Sequence, residues 1–215
     1  MSKRIVVLIS GSGSNLQAII DASQSGRING DVVAVLSNKA DVFGLERAAN
    51  ANIATEVLNH KAFDSRESFD AAMMQLIDGY TPDLIVLAGF MRILTPEFVR
   101  HYEGRMLNIH PSLLPKYKGL HTHQRALEAG DTEHGCTVHF VTEELDGGPS
   151  LVQGRVSIDP DDSSESLQQK VHVREHQIYP LAVEWFCAER ASWSSEGVIF
   201  DGQVAPAEGI QFKSA

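Results

Sequence analysis

An amide, an imidazole and a carboxylate are the side chains of this sequence whose types and spacing fit acid–base chemistry. Asn108 and His110 stand two residues apart at the end of the apolar run 106–109, and Pro111 follows them directly. Residues i and i+2 of a strand point to one face, so the spacing predicts the amide and the imidazole side by side. Asp146 lies in a downstream segment rich in turn-forming residues. The three side chains predict oxyanion stabilisation and proton transfer. Because no Ser or Cys is placed as an obvious nucleophile, direct transfer to a bound acceptor is favoured.

The elements that must position these side chains alternate between apolar β-branched runs and helical patterns. The runs predict strands at 5–9, 32–36, 56–58, 84–87, 106–109, 137–141 and 151–158, with helices near 15–25, 44–51 and 64–79. The first four strands read as almost continuous apolar runs, which is typical of buried parallel strands. The pattern predicts an α/β fold with a doubly wound, mostly parallel twisted sheet flanked by helices on both faces. No long helix separates the last two strands, which predicts an antiparallel edge.

The C-terminal quarter predicts one long helix followed by a small hairpin. The helix is expected to begin near Asp162, with Glu165 as a capping partner, and to kink or break at Pro180. Gly197–Val204 reads as a hairpin that turns at Asp201-Gly202, and the tail after Ala205 reads as loose.

Composition excludes several function classes. A chain of 215 residues, 43% of them hydrophobic, suits one α/β domain with a sizeable core. The formal net charge of −10 argues against general nucleic-acid binding. The cysteines, Cys136 and Cys187, form no C-x-x-C pair, and no apolar run approaches the length of a membrane span. We therefore expect a cytoplasmic protein with reduced thiols and neither a nucleic-acid nor a membrane partner.

A glycine-rich loop, Gly11-Ser12-Gly13-Ser14-Asn15, follows the first strand and opens the first helix. Leu16 replaces the third glycine of the dinucleotide fingerprint, and Ser37-Asn38 stands where an acidic residue would close the second strand. Backbone amides at a helix N-terminus suit one phosphate group. A tight turn in which Ser14 or Asn15 only caps the helix is an equally open interpretation.

Three further segments could carry function. Leu87–Leu94 runs off a central strand, where its apolar residues could line a slot for a flat heterocycle, although a buried packing loop explains them as well. The His121-Thr122-His123 pair lacks nearby thiolate or carboxylate partners, so we expect no metal. Glu175-His176 could bind an amine or a ribose hydroxyl, or could lie on a solvated helix face.

Taken together, these segments resemble the folate-dependent phosphoribosylglycinamide formyltransferases of purine biosynthesis, from Ile5 to about Trp185. The motifs that carry the resemblance are Gly11-Ser12-Gly13-Ser14-Asn15-Leu16, Ser37-Asn38-Lys39-Ala40, Ala88-Gly89-Phe90-Met91-Arg92-Ile93-Leu94, Asn108-Ile109-His110-Pro111-Ser112-Leu113-Leu114-Pro115, Gly119-Leu120-His121-Thr122-His123, Leu145-Asp146-Gly147-Gly148-Pro149 and Glu175-His176-Gln177-Ile178-Tyr179-Pro180. No catalytic position departs from the family pattern; Lys118 stands where some members carry proline.

The resemblance implies a Rossmann-like formyltransferase fold and the transfer of a formyl group from 10-formyltetrahydrofolate to glycinamide ribonucleotide. It implies a catalytic domain at 1–190, with phosphate binding in its N-terminal half and folate binding and catalysis in its C-terminal half, followed by a short hairpin and tail at 191–215. The implied partners are these two small molecules, and a homodimer stays open.

The resemblance also assigns residues to the two substrates and to catalysis. The catalytic residues are Asn108, His110 and Asp146. The nucleotide residues are Gly13, Ser14, Asn15 and Glu175, and the folate residues are Arg66, Met91, Arg92, Ile93, Leu94, Asn108, Thr142, Glu143 and Glu144. In this scheme Asn108 donates to the developing oxyanion, His110 acts as a cation and proton donor, and Asp146 orients the imidazole and favours its charged form.

Other readings remain open from the sequence. A formyltetrahydrofolate hydrolase shares the chemistry but carries an extra N-terminal domain, which we do not expect because the first strand begins at Ile5. The formyltransferase of initiator methionyl-tRNA adds a C-terminal RNA-binding domain, which the acidic composition does not favour. A non-catalytic nucleotide or folate sensor would keep the loop and the slot without needing Asn108, His110 and Asp146 together.

Overall fold

The computed structural model describes residues 2–213, which form two compact units that divide between Asn108 and Ile109. In the first unit the elements are β1 (Lys3–Ile9), α1 (Ser14–Gln24), β2 (Gly30–Ser37), α2 (Phe43–Asn50), β3 (Ala54–Val57), α3 (Arg66–Gly79), β4 (Leu84–Leu87), α4 (Pro96–His101) and β5 (Met106–His110), whose last two residues belong to the second unit. Its strands pair in the order β5-β4-β1-β2-β3, and every pair is parallel.

The central strands of this unit are its core. The side chains from Ile5 to Ile9 on β1 and from Leu84 to Val86 on β4 have no solvent exposure. A strand buried on both faces cannot alternate apolar and polar residues, which explains the continuous apolar runs in the sequence. The predicted parallel βαβ organisation is confirmed, and the carboxyl ends of β1 and β4 lead directly into the glycine-rich loop and the 88–94 segment.

In the second unit the elements are α5 (Thr122–Glu128), β6 (Glu133–Phe140), β7 (Ser150–Ser157), α6 (Ser164–Cys187), β8 (Ala191–Ser194), β9 (Gly197–Phe200), β10 (Gln203–Val204) and β11 (Ile210–Phe212). β6 and β7 pair antiparallel, as predicted, and α6 packs on both. The predicted hairpin is β9–β10, which turns at Asp201-Gly202, and β8 extends it to a separate three-stranded antiparallel sheet.

The predicted cap of the long helix is wrong, and the break considered at Pro180 is not observed. The N-cap of α6 is Ser163, which forms a capping box with Ser166, because the Asp162 carboxylate is already engaged by Lys170 and by the backbone of Asp159. The helix also continues through Pro180 without a break. Proline removes one helical hydrogen bond, at a cost of about 3 kcal/mol. The buried residues around it, Ile178, Tyr179, Ala182 and Val183, keep the helix packed on the sheet.

The C-terminal tail is more ordered than the sequence indicates. β11 pairs parallel with β7 and places Gln211 within hydrogen-bond distance of Gln153 (3.3 Å). The Arg174 guanidinium lies 5.4 Å from the centroid of the Phe212 ring. The expectation of a loose tail is wrong because a three-residue strand is too short to give a periodic signal in the sequence. Within residues 2–213, no helix combines the length and apolarity that a membrane span requires.

Candidate active site

Asn108 and His110 occupy alternate positions at the carboxyl end of β5. Asn108 pairs in register with Leu87 of β4 and is half-buried, whereas His110 is 6% exposed. The strand ends at His110 because Pro111 has no N–H with which to extend the ladder. Both side chains therefore point to one face of the strand, as the spacing predicts.

The two ring nitrogens of His110 face different acceptors. Nε2 lies 2.8 Å from the backbone oxygen of Tyr117, and a carbonyl oxygen can only accept, so Nε2 carries a proton. Nδ1 lies 3.4 Å from Asp146 Oδ2. This separation is longer than the 2.7–2.9 Å typical of a charge-assisted hydrogen bond. Nδ1 is consequently the nitrogen that is less tightly engaged.

Asp146 is oriented by its backbone conformation and by Gly119 of an earlier loop. Its backbone adopts the left-handed region with φ of 49°, and its Oδ2 accepts a hydrogen bond from the Gly119 N–H at 2.9 Å. Only 8% of its side chain is exposed. A carboxylate this buried needs such partners to remain an effective negative charge beside an imidazole.

His139 completes the cluster, and the sequence did not single it out. Its Nδ1 donates to the Phe140 carbonyl at 2.9 Å, and its Nε2 lies 4.0 Å from Asp146 Oδ1. Burial lowers the pKa of His139, so the ring stays neutral and its Nε2 carries no proton. Asp146 thus has one imidazole, that of His110, with which to form an ion pair. Thr137 and His139 are polar residues at alternate positions near the end of the buried strand β6. This pattern could have indicated His139 from the sequence.

The glycine-rich loop is tied to α2 through its carbonyl groups. The Gly11 oxygen accepts from the Gly44 N–H at 3.1 Å, and the Ser12 oxygen accepts from Arg47 Nε at 2.8 Å. Gly13 has φ of +71° and is the N-cap of α1, where a Cβ would lie 2.7 Å from the Gly44 Cα. Glycine is required here both for the backbone angle and for the close approach.

These contacts determine where the amides of the loop point. In a trans peptide the C=O and the following N–H lie on opposite sides of the bond. With the Gly11 and Ser12 carbonyls directed at α2, the N–H groups of Ser12 and Gly13 face away from it. The N-cap is a glycine, and the predicted residues Ser14 and Asn15 lie in the first turn of α1. Outward backbone N–H groups at a helix N-terminus favour an anion, and a side-chain cap from Ser14 or Asn15 is not observed at the N-cap position.

The segment after β4 presents apolar side chains to solvent. Met91 and Ile93 are 66% and 58% exposed, so the interpretation of a buried packing loop is wrong for them. Arg92 stacks on the Phe69 ring, 4.9 Å from its centroid. Exposed apolar side chains beside an arginine suit a flat ligand with an anionic end.

A buried acid anchors this segment and relates it to Arg66. The Asp70 carboxylate, 1% exposed, accepts the Thr95 N–H at 2.7 Å. Burial raises the pKa of Asp70, while the hydrogen bonds from Thr95 and the charges of Arg66 and Arg92 oppose the rise. Both predicted arginines therefore lie close enough to act on one carboxylate. Asp70 was missed because a single acid in a helical pattern carries no functional signal.

The remaining predicted residues lie in the second unit. Thr142, Glu143 and Glu144 form an exposed to half-buried stretch before Asp146, in which Thr142 Oγ1 donates to the Glu144 carbonyl at 3.3 Å and the Glu144 carboxylate pairs with Lys118 at 2.7 Å. Glu175 is 5% exposed within α6, so it does not lie on a solvated helix face. Its charge helps to raise the pKa of the Cys136 thiol, although burial is the larger cause.

The two histidines of His121-Thr122-His123 are separated by the start of α5. His121 is exposed at the N-cap, whereas His123 Nδ1 lies 3.1 Å from Nε2 of the buried His134. Within the described part of the chain, no group of three His, Cys, Asp or Glu side chains is arranged to hold a metal ion.

The sequence profile of the formyl transferases matches residues 3–183. This chain belongs to the formyl transferase family. It is 58% identical over 205 residues to the phosphoribosylglycinamide formyltransferase of Escherichia coli K12, covering 95% of this chain and 97% of the relative. It is 50% identical over 207 residues to the enzyme of the same name from Haemophilus influenzae, covering 96% and 98%.

Solved structures agree with this assignment. The structure of the phosphoribosylglycinamide formyltransferase of Coxiella burnetii, in complex with CHES, superposes with a TM-score of 0.95 at 52% identity, covering 99% of this chain and 100% of that one. The corresponding structure from Brucella melitensis gives a TM-score of 0.84 at 49% identity over 87% of this formyl transferase and 97% of that chain. The predicted Rossmann-like formyltransferase fold is confirmed.

Proposed function

We propose that this chain transfers the formyl group of 10-formyltetrahydrofolate to the amino group of glycinamide ribonucleotide, a step of de novo purine biosynthesis. The observation that carries the proposal is the buried His110–Asp146 pair, 3.4 Å apart, next to an amide two residues earlier on the same strand. The high identity to two phosphoribosylglycinamide formyltransferases supports this choice of acceptor.

The reaction balances without a further reactant. The amine nitrogen bonds to the formyl carbon, and the carbonyl electron pair moves to oxygen to give a tetrahedral oxyanion. The bond from carbon to N10 of the folate then breaks as the carbonyl re-forms. The proton that the amine loses is taken up at N10, giving formylglycinamide ribonucleotide and tetrahydrofolate.

The three catalytic residues would act on the oxyanion and the proton. The Asn108 amide donates to the developing oxygen, and the His110 imidazolium adds a second donor and a positive charge. Nδ1 is the nitrogen that exchanges the proton, because Nε2 is held by the Tyr117 carbonyl. The Asp146 carboxylate, fixed by the Gly119 N–H, stabilises the imidazolium and orients the ring.

The glycine-rich loop would hold the nucleotide phosphate. The outward N–H groups described above and the N-terminus of α1 favour an anion. Arg47, bound to the Ser12 carbonyl, adds positive charge beside the loop. Gly13, Ser14 and Asn15 are the proposed phosphate residues, and Glu175 is the proposed contact from α6 to the rest of the nucleotide.

The folate would occupy the apolar residues after β4 and the loop before Asp146. Exposed Met91 and Ile93 offer apolar surface for a flat ring, and the arginines suit the carboxylates of the folate tail. The proposed folate residues are Arg66, Met91, Arg92, Ile93, Leu94, Asn108, Thr142, Glu143 and Glu144.

The wider assignments are part of the same proposal. Amide and imidazolium donors supply the charge stabilisation, so the proposed mechanism requires no metal. All proposed site residues precede residue 191, so we assign catalysis to 1–190 and an accessory role to 191–215. Both cysteines are buried free thiols, which agrees with a reducing compartment such as the cytoplasm.

The decisive experiment measures deformylation of 10-formyltetrahydrofolate by the pure protein, with and without glycinamide ribonucleotide. The proposal expects turnover only with the ribonucleotide present, and formylglycinamide ribonucleotide in amounts equal to the tetrahydrofolate released. Equal rates in both reactions would identify a hydrolase. Ligand binding without turnover in either reaction would identify a sensor.

A further inference from the structure

The motif Ser37-Asn38-Lys39-Ala40 after β2 has no role in the mechanism above, yet its asparagine is among the most buried polar residues of the first unit. Asn38 is 2% exposed and Ser10, the last residue before the glycine-rich loop, is 5% exposed. Ser10 Oγ donates to Asn38 Oδ1 at 2.7 Å. Burying a side-chain amide is costly unless its polar atoms have hydrogen-bond partners.

The same hydroxyl accepts a hydrogen bond from the Met91 N–H at 2.9 Å. The Ser10 N–H in turn donates to the Gly89 carbonyl at 3.1 Å. Ser10 thus binds the segment after β4 through both its backbone and its side chain, directly before the chain enters the glycine-rich loop.

Asn38 determines which hydrogen bonds the Ser10 hydroxyl can form. A serine hydroxyl has one proton, and Asn38 Oδ1 receives it, so the oxygen is left to accept from Met91. The amide is itself oriented, because its Nδ2 faces His60 Nδ1 at 3.3 Å. Asn38, Ser10 and Met91 form one chain of hydrogen bonds across the ends of three strands, and His60 Nδ1 lies within hydrogen-bond distance of both the side-chain nitrogen and the carbonyl of Asn38.

We propose that Ser10, oriented by Asn38, is a positioning residue that sets the backbone of Met91 for the formyl donor and fixes it relative to the start of the nucleotide loop. This assignment rests on the proposed roles of the two segments. The hydroxyl holds the backbone of the segment after β4, and Ser10 itself directly precedes the glycine-rich loop, so loss of the hydroxyl disturbs both segments.

The first test is Ser10→Ala. The variant leaves the Met91 N–H without its acceptor, which releases the segment after β4. We expect the KM for 10-formyltetrahydrofolate to rise about tenfold and the KM for glycinamide ribonucleotide about threefold, with the larger effect on the segment whose backbone the Ser10 hydroxyl binds directly. The kcat should stay within about threefold of the original protein, because Asn108, His110 and Asp146 are untouched.

Hydrogen–deuterium exchange supplies a readout that does not depend on activity. In Ser10→Ala, the Met91 amide should exchange at least tenfold faster, while the amides of β1 keep their protection. Asn38→Ala should give the same pattern more weakly, and the double variant should be no worse than Ser10→Ala alone because both act through one hydrogen bond. Ser10→Thr, which keeps the hydroxyl, should restore both KM values.

Ser23→Ala is the matched control, since it removes a serine–backbone hydrogen bond in the same unit, to the Gly30 carbonyl at 2.6 Å, away from both segments. It should change neither the KM values nor the exchange at Met91. Unchanged exchange at Met91 in Ser10→Ala, or equal effects in the control, would overturn the proposal. If the original protein lacks turnover, the proposed function fails, but the exchange experiment still decides whether Ser10 positions Met91. If Ser10→Ala does not fold, Asn38→Ala and Ser10→Thr provide the same comparison.

Discussion

At the scale of single residues, the two ring nitrogens of His110 have different partners and therefore different roles. The Tyr117 carbonyl holds Nε2, and the carboxylate of Asp146 faces Nδ1. The neutral ring of His139 touches the same carboxylate without competing for it as a cation. The sequence predicted the pairing of Asn108 with His110 because strand periodicity is local. It could not predict Tyr117, Gly119 or His139, because these contacts depend on how loops close in space.

His110→Ala should lose ~10²–10³ of kcat, the usual cost of removing one donor to an oxyanion. The imidazole lies at the end of β5, so the fold should survive. Steady-state kinetics and a thermal unfolding curve check both statements. His101→Gln, which changes an exposed histidine on α4, is the control and should keep full turnover. Near-normal turnover by folded His110→Ala would remove His110 from the mechanism.

Asn108→Asp should lose at least as much kcat as Asn108→Ala. The aspartate replaces an N–H donor by a carboxylate, so it repels the oxyanion where alanine only fails to stabilise it. The comparison of kcat between the two variants is the measurement. An aspartate variant that is clearly more active than the alanine variant would contradict the assigned role of the amide.

At the scale of elements, periodicity predicted the strands and helices of the first unit well, including β3, whose residues are exposed or half-buried. The five parallel strands β1 to β5 and the helices α1 to α3 lie within a few residues of their predicted bounds. Prediction failed where tertiary packing outweighs local preference, as in α6, which passes through Pro180, and in β11, which is ordered only by its neighbour β7. Neither effect is encoded in a short window of sequence.

Gly44→Ala tests the contact between α2 and the glycine-rich loop. A Cβ at Gly44 would lie 2.4 Å from Ile9 Cδ1, 3.0 Å from the Gly11 oxygen and 3.3 Å from the Gly13 Cα. The loop must shift, so the KM for glycinamide ribonucleotide should rise at least tenfold and the melting temperature should fall. Gly79→Ala is the matched control, because a Cβ there has no atom within 4 Å and alanine favours a helix. If both variants behave alike, close packing does not hold the loop.

At the scale of the whole molecule, the pair formed by half-buried His123 and buried His134 links folding stability to pH. The pKa values of His123 and His134 are lowered from 6.5 to about 4, chiefly by burial. The charges of His172 and His110 lower the pKa of His123 further. The charge of His123 acts on His134 in the same direction, whereas Asp131 opposes it. Both rings are therefore neutral when folded near pH 7.

This pair should make the protein less stable as pH falls from 6.5 to about 4. In this window the unfolded chain binds protons that the folded chain does not, so the free energy of unfolding falls, by an amount on the order of 2 kcal/mol per histidine. Below the window both states are protonated, and the pair adds no further loss. Urea unfolding at several pH values measures the slope.

His134→Gln removes one of these groups and should flatten the slope of that curve, whereas His101→Gln, at an exposed site, should leave it unchanged. A wild-type free energy of unfolding that stays constant across the window would contradict the role of the pair. The variant must be compared by its slope, because the loss of the buried contact with His123 lowers its stability at every pH.

The placement of Asn108 and His110 on alternate positions of one strand has an evolutionary consequence. A substitution at Leu107 or Ile109 changes packing, but the insertion or deletion of a single residue between Met106 and Asn108 turns both chemical groups to the opposite face. The lineage of this chain can therefore exchange apolar residues in β5 and cannot tolerate a gap there. Homologous sequences aligned over β5 should vary in identity and keep one fixed length.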